Sequence, residues 1–137
     1  SFVCLIDPAL INQVFNNLLK NAIESIEAAI DKNIISSKKG GIVIVEVKQK
    51  EKDIVIKMKD NGIGLPKKKN HLFEPYVTSR ENGIGLGLAI VKKIIEEHDG
   101  NLTLLDAECF TNFDHTGAVA QVRLPILNER DDQIQLL

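Results

Sequence analysis

The longest regular pattern in the chain is a run in which apolar residues return every three or four positions: Leu10, Ile11, Val14, Phe15, Leu18, Leu19, Ala22, Ile23, Ile26 and Ile30. A 3.6-residue repeat places them on one broad stripe and predicts a buried amphipathic helix. Asp7-Pro8 marks its start, an N-cap carboxylate followed by proline at the first helical position. Lys38-Lys39-Gly40-Gly41 marks the expected stop. Ahead of the helix, the apolar run 2–6 reads as an edge strand. Residues 42–50 read as a strand with Val43, Val45 and Val47 on one side, and residues 54–60 as its partner, with Ile54, Ile56 and Met58 on one side. Lys50-Glu51-Lys52-Asp53 between them is short enough for a hairpin.

From Asn61 to Gly83 the periodicity stops, and glycines, Pro66 and Pro75 take over. A loop of that length inside a compact domain is functional or disordered. Residues 86–98 resume a helical pattern, with Leu86, Ile90 and Ile94 on one line and Ala89 beside it. Residues 101–105 and 118–124 read as strands. The order β-α-β-β-loop-α-β-β predicts an α+β fold, with helices on one face of a mixed, mostly antiparallel sheet.

A chain of 137 residues with 44% hydrophobic content fits one domain with a real core. The net charge of −2 gives no footprint for nucleic acid, and Lys67-Lys68-Lys69 reads as a solvated loop. Cys4 and Cys109 are too few and too isolated for a disulfide framework or a zinc site, so a reducing compartment is expected. No apolar run reaches the length of a membrane span. Ser1 stands inside a strand-like run, which reads as a piece of a longer protein.

Three groups of residues could carry chemistry. On the first helix, Asn17 and Asn21 lie about 40° apart, and Glu24 about 20° from Asn17, in one polar line beside the apolar stripe. A neutral amide oxygen suits Mg2+, which takes oxygen ligands and relies on substrate phosphates for others; a solvated helix face is the plainer alternative. Asp60 ends a strand on its inward side, where a carboxylate needs a partner. An adenine amino group is a suitable donor, while a simple Asp-Asn-Gly turn is the alternative. Gly83, Gly85 and Gly87 precede a helix, where backbone can approach phosphate and free N–H groups are available. Neither a Rossmann fingerprint nor a Walker A loop is present.

These blocks, in this order, resemble the boxes of sensor histidine kinases. Asn17-Leu-Leu-Lys-Asn21-Ala-Ile-Glu resembles the N box, and Asp60-Asn-Gly-Ile-Gly64 the G1 box. Leu72-Phe-Glu-Pro-Tyr-Val-Thr-Ser-Arg80 resembles the F box, and Gly83-Ile-Gly-Leu-Gly-Leu-Ala-Ile-Val91 the G2 box. The match covers residues 2–125, and its wording is closest to the NtrY type of nitrogen-regulation sensor kinase.

The resemblance implies the two-layer α/β sandwich of the Bergerat ATP-binding fold, shared with Hsp90, gyrase B and MutL. It implies ATP and Mg2+ as cofactors, with Asn21 on the metal and Asn17 and Lys20 near the phosphates. Asp60 would take the adenine amino group, and Gly62 and Gly64 would shape that wall. Residues 65–82, with Thr78 and Arg80, would form a mobile lid whose arginine reaches the phosphates. Gly83, Gly85, Leu86 and Gly87 would form the hinge and phosphate wall. Residues 1–127 would be the catalytic domain and 128–137 a polar tail.

Departures from the pattern are Ile84, where Thr or Ser is common, and Asp99-Gly100 in place of Gly-Gly. The phosphoacceptor helix is absent, and His71, His98 and His115 read as surface or loop histidines. The resemblance therefore implies a catalytic domain that transfers the γ-phosphoryl group to a histidine on a separate dimerisation domain. A response regulator receiver would be the onward partner, and the parent a homodimer in the cell membrane with this domain in the cytoplasm. The alternatives are an ATPase switch of the Hsp90 kind and an anti-sigma-type serine kinase. The switch enzymes carry a glutamate four residues before the metal asparagine, where this chain has Asn17; Glu24 lies three residues on the other side.

Overall fold

The computed structural model describes residues 3–66, 87–110 and 113–127. Asp7 has extended backbone, and its Oδ1 accepts from the N–H groups of Ala9 (3.0 Å) and Leu10 (3.2 Å). Two of the donors orphaned at a helix start are thereby satisfied, and Pro8 opens α1 (Pro8–Asp31). The helix closes earlier than the lysine-glycine cluster suggested. Asn33 turns left-handed at φ 59°, and the Ile34 and Ile35 N–H groups bond back to the Ala29 carbonyl. An asparagine just past the last turn is a recognised stop, and it outranked the glycines downstream.

The buried side of α1 is Ile11, Val14, Leu18, Ala22, Ser25, Ile26 and Ala29. Leu19 and Ile23 are 41% and 45% exposed, so the stripe read from the sequence extends too far on one side.

The strands β1 (Val43–Lys50) and β2 (Asp53–Asp60) form the expected hairpin, with Lys50 opposite Asp53 and Glu51 in the turn at φ 57°. The second helix, α2, is Gly87–Glu97, followed by β3 (Asn101–Asp106) and β4 (Ala118–Pro125). β4 inserts between β2 and β3, giving the order β1-β2-β4-β3. Every pairing among the described residues is antiparallel. The start of the chain is no strand over residues 3–6; the Leu127 N–H donates to the Val3 carbonyl (2.8 Å) and ties it beside the end of β4.

The register places Ile54, Ile56, Met58 and Asp60 on the same face as Leu124, Val122, Ala120 and Ala118. That face meets both helices. α1 packs on β2, α2 on β3, and the helices on each other. The shared core joins Val14 and Leu18 of α1, Val91 and Ile95 of α2, and Met58 and Val122 of the sheet. On α2 the buried residues are Val91, Ile94 and Ile95; Ile94 of the expected line faces the core, Ile90 is only partly buried, and the buried side widens because the helix leans on α1 as well as on the sheet.

Val45 and Val47 share the helix-side face by register, yet they are 54% and 52% exposed. β1 is the rim of the sheet, and the helices sit over its neighbours. The opposite face is charged. There Lys59 stands 3.2 Å from Glu46, and its hydrogen bond and charge hold the Glu46 carboxyl below the ordinary range.

His98 closes the far end of the molecule. Its Nε2 accepts from the Asp7 N–H (3.0 Å), and its Nδ1 lies 2.7 Å from the Ile94 carbonyl and donates to it. It is a clamp between the end of α2 and the cap of α1, not a free surface histidine.

The cap residue gives a direct test. Asp7→Ala is expected to lower stability by about 1 kcal/mol, and Asp7→Asn by a few tenths. Urea unfolding midpoints of the three chains measure the difference.

Candidate nucleotide site

β2 delivers Asp60 to the helix-covered face, as period two requires, and leaves it 7% exposed. The chain then curls back on itself: the Gly62 N–H donates to Asp60 Oδ1 at 2.9 Å. A buried carboxylate needs such donors to remain tolerable.

Asn61, 1% exposed, acts as a rung joining this turn to the segment after α1. Its N–H donates to the Ile42 carbonyl (3.2 Å), and its Oδ1 accepts from the Ile42 N–H (2.7 Å). Ser25 pins the turn from the other side. The Ile63 N–H donates to Ser25 Oγ (3.0 Å) and to the Ser25 carbonyl (3.1 Å). Gly62 presses so closely on Ser25 that a Cβ there would collide with it. Gly64 takes φ 83°, a left-handed conformation suited to glycine, with the Thr116 carbonyl 3.0 Å from where a Cβ would stand.

A pocket opens beside this turn. Asn21 and Ala22 of α1, Met58 and Asp60 of β2, Leu88 of α2 and Ala120 of β4 are among its lining residues. The space has a simple cause. On its helix-side face, β4 carries Val122 and Leu124 at one end, where the layers fuse. At the other end it carries Ala118 and Ala120, where they stand apart. The walls are apolar, with an amide and a carboxylate set into them, as in sites that enclose a flat ligand and orient it by few polar contacts.

Asn21 also stands beside the start of α2: its Oδ1 is 4.0 Å from where a Cβ on Gly87 would sit. The first turn of a helix offers unpaired N–H groups and a positive dipole end, both favourable to phosphate. Among the described residues no group of three His, Cys, Asp or Glu could hold a metal ion.

The structure thus brings Asn21, Asp60, Gly62, Gly64 and Gly87 together. Two other α1 candidates, Lys20 and Asn17, stand apart from that group. Lys20 is solvent-facing and pairs with Glu24 at 3.9 Å, and Asn17, one turn before Asn21, is not among the pocket residues. Thr78, Arg80, Gly83, Gly85 and Leu86, with the expected lid from residue 67 onward, lie outside the described residues.

Sequence reasoning missed Ser25, whose signal was a polar residue within an apolar stripe. It also missed the support from residues 113–117. His115 Nε2 lies 2.8 Å from the Asn61 carbonyl, and a Cβ on Gly117 would collide with the Asp60 carbonyl. A lone histidine in a loop carries no pattern that announces such a contact.

Comparison with known proteins bears on the family and the fold. The sequence profile of the family described as "Histidine kinase-, DNA gyrase B-, and HSP90-like ATPase" matches residues 6–128. The chain belongs to this family.

Nitrogen regulation protein NtrY of Azorhizobium caulinodans is 48% identical over 102 residues, covering 74% of this chain and 13% of that protein. A putative NtrY-like sensor histidine kinase of Rickettsia bellii is 42% identical over 127 residues, covering 89% and 17%. Among solved structures, the mycobacterial sensor histidine kinase MprB superposes with a TM-score of 0.72 at 27% identity, covering 90% of this chain and 76% of that one. The catalytic domain of histidine kinase ThkA gives 0.66 at 26% identity, covering 89% and 70%. The α+β fold and the kinship with sensor histidine kinases are therefore as the four boxes implied. The chain is a histidine-kinase-type ATP-binding catalytic domain, and it spans only 13% to 17% of the length of these curated relatives.

The Asn61 rung is open to measurement. Asn61→Ala leaves the Ile42 N–H without its side-chain acceptor and is expected to lower stability by about 2 kcal/mol. Denaturant unfolding checks the magnitude.

Proposed function

We propose that the domain binds Mg-ATP and passes the γ-phosphoryl group to a histidine on a dimerisation and phosphotransfer domain of the same parent protein. A response regulator receiver domain is the onward acceptor. One observation carries the reading: a buried carboxylate and an amide oxygen line one apolar pocket, and the amide stands at the opening of a helix.

In this reading the apolar walls exclude water and take the adenine ring. Asp60 accepts the 6-amino hydrogen, held in place by the Gly62 N–H, and Gly62 and Gly64 keep the turn close to the base. The N-terminal end of α2 at Gly87, continued by Gly83, Gly85 and Leu86, lines the phosphates. Asn17, Lys20, Thr78 and Arg80 add contacts around them.

Mg2+ suits the Asn21 amide, because a neutral amide oxygen matches a hard cation that keeps waters and phosphate oxygens. Asn21 would hold it, and when bound it neutralises phosphate charge. Phosphoryl transfer asks the protein for positioning more than for covalent chemistry. This pocket of amide, carboxylate and backbone N–H groups is of that kind.

Asn17 replaces the glutamate that would activate water in an Hsp90-like switch, so hydrolysis is not favoured. We place the catalytic unit at residues 1–127 and a polar tail at 128–137, and the parent in the cell membrane as a homodimer with this domain on the cytoplasmic side. No helix among the described residues is long and apolar enough to cross a membrane.

The base contact predicts nucleotide preference. GTP presents a carbonyl oxygen where ATP presents an amino group, so ATP should bind better by at least ~2 kcal/mol. Asp60→Asn can keep its oxygen on the Gly62 N–H and turn its NH2 to the ligand. Titration calorimetry should show its ATP preference erased or reversed; an unchanged ratio refutes the contact.

The transfer reaction has its own test. Mixed with Mg-ATP, the chain alone should neither label itself nor turn over ATP appreciably. Supplied with the phosphoacceptor segment of its parent at high concentration, it should label that segment in an acid-labile, base-stable form. Steady turnover by the chain alone would favour the ATPase switch, and an acid-stable label the serine kinase.

A further inference from the structure

The nucleotide turn is held on three sides, and the third side is supplied by one imidazole. The segment between β3 and β4, described over residues 107–110 and 113–117, is tied at its base by the Ala107 N–H to the Gly117 carbonyl (3.1 Å). Gly117 lies against the Asp60 carbonyl, with no room for a side chain between them. Two residues earlier, His115 reaches the next carbonyl along, that of Asn61, with Nε2 at 2.8 Å.

A carbonyl can only accept, so the proton sits on Nε2 and the ring is the donor. The His115 side chain is 17% exposed. Phe113 meets the ring edge to face, with centroids 5.8 Å apart and planes at 86°, and Lys39 Nζ stands 5.3 Å from the Phe113 centroid. The imidazole is thus braced from the segment after α1, the same segment that Asn61 grips with its side chain.

The consequence lies at Asp60. The Asn61 carbonyl and the Gly62 N–H belong to one peptide unit, and that N–H donates to Asp60 Oδ1, so a rotation of this peptide would withdraw the donor that orients the carboxylate. The Asn61 side chain fixes one side of this unit, and Ser25 fixes the turn two residues on. The Asn61 carbonyl is a further handle on it.

We propose that His115 is a positioning residue for base recognition: its Nε2–H holds the Asn61 carbonyl and thereby sets the direction of the Asp60 carboxylate. It touches no nucleotide itself. This rests on the reading of Asp60 as the acceptor for the adenine amino group.

The test separates the donor from the ring. His115→Gln places an N–H donor near the position of Nε2 without the ring. His115→Asn is polar but too short to reach. His115→Phe keeps the ring against Phe113 and loses the donor. Each chain is titrated with ATP, GTP and inorganic tripolyphosphate, and its unfolding midpoint is recorded.

The Phe and Asn variants should lose about three- to tenfold in ATP affinity, and the ATP-to-GTP ratio should fall by the same factor. Tripolyphosphate affinity should stay as in the parent chain. The Gln variant should remain within about twofold on every count. Amide exchange at Gly62, whose N–H reports the Asp60 bond, should quicken in the Phe and Asn variants and not in the Gln variant.

Wild-type affinity and ratio in the Phe variant would overturn the proposal. So would a Gln variant as weak as the Phe one, or a loss shared equally by tripolyphosphate. If the Phe variant does not fold, the Gln and Asn pair decides alone. Failure of the underlying reading looks different: the unmodified chain would then bind ATP and GTP alike.

Discussion

A carboxylate taken out of water has to be met by donors, and much of this domain is arranged around meeting the one on Asp60. Desolvation of an ionised group is among the largest penalties a small protein can carry. The nearest remedy is the N–H two residues on, and reaching it forces the chain to reverse at once. That reversal carries Gly62 onto Ser25 of α1, where a larger residue would not fit. It also buries Asn61 so deeply that its amide must be paired, which recruits the segment at residues 40–42. Helix, hairpin and loop are joined by the need to satisfy a few buried polar groups.

The pocket is the complement of this constraint. A two-layer domain ordinarily fills the space between helix and sheet, and at one end Val122 and Leu124 do so with Val91 and Ile95. At the other end the central strand offers only Ala118 and Ala120. An apolar pocket follows from the missing side-chain volume, with the carboxylate at its wall and the first turn of α2 beside it. In the proposed reading, recognition and phosphate positioning are supplied by groups placed before any ligand arrives. Such preorganisation suits a reaction that needs alignment more than a reactive side chain. In the proposed reading the acceptor histidine lies on another domain, which accords with Asn17 standing where an Hsp90-like switch would need a water-activating glutamate.

The sequence by itself determined a good deal. Asp7-Pro8 marked the start of α1, because capping is a contact between residues two and three apart. The alternation 54, 56, 58 put Asp60 on the core side, because strand pleating is strictly local. The four ordered boxes carried the family, and with it the pocket residues Asn21, Asp60 and Gly64.

Tertiary structure decided what periodicity cannot express. A 3.6-residue repeat says which residues share a side, not how wide a neighbour covers it, so Leu19 and Ile23 stayed exposed while Ser25 was buried. Val45 and Val47 alternate like core residues, but the strand order β1-β2-β4-β3 left them at the rim. The polar bonds that lock the site and the core join Ser25 to Ile63, Asn61 to His115 and Asp7 to His98, across 38, 54 and 91 residues. A hydrogen bond is a short-range contact, and only the path of the chain through the sheet brings such partners within its reach.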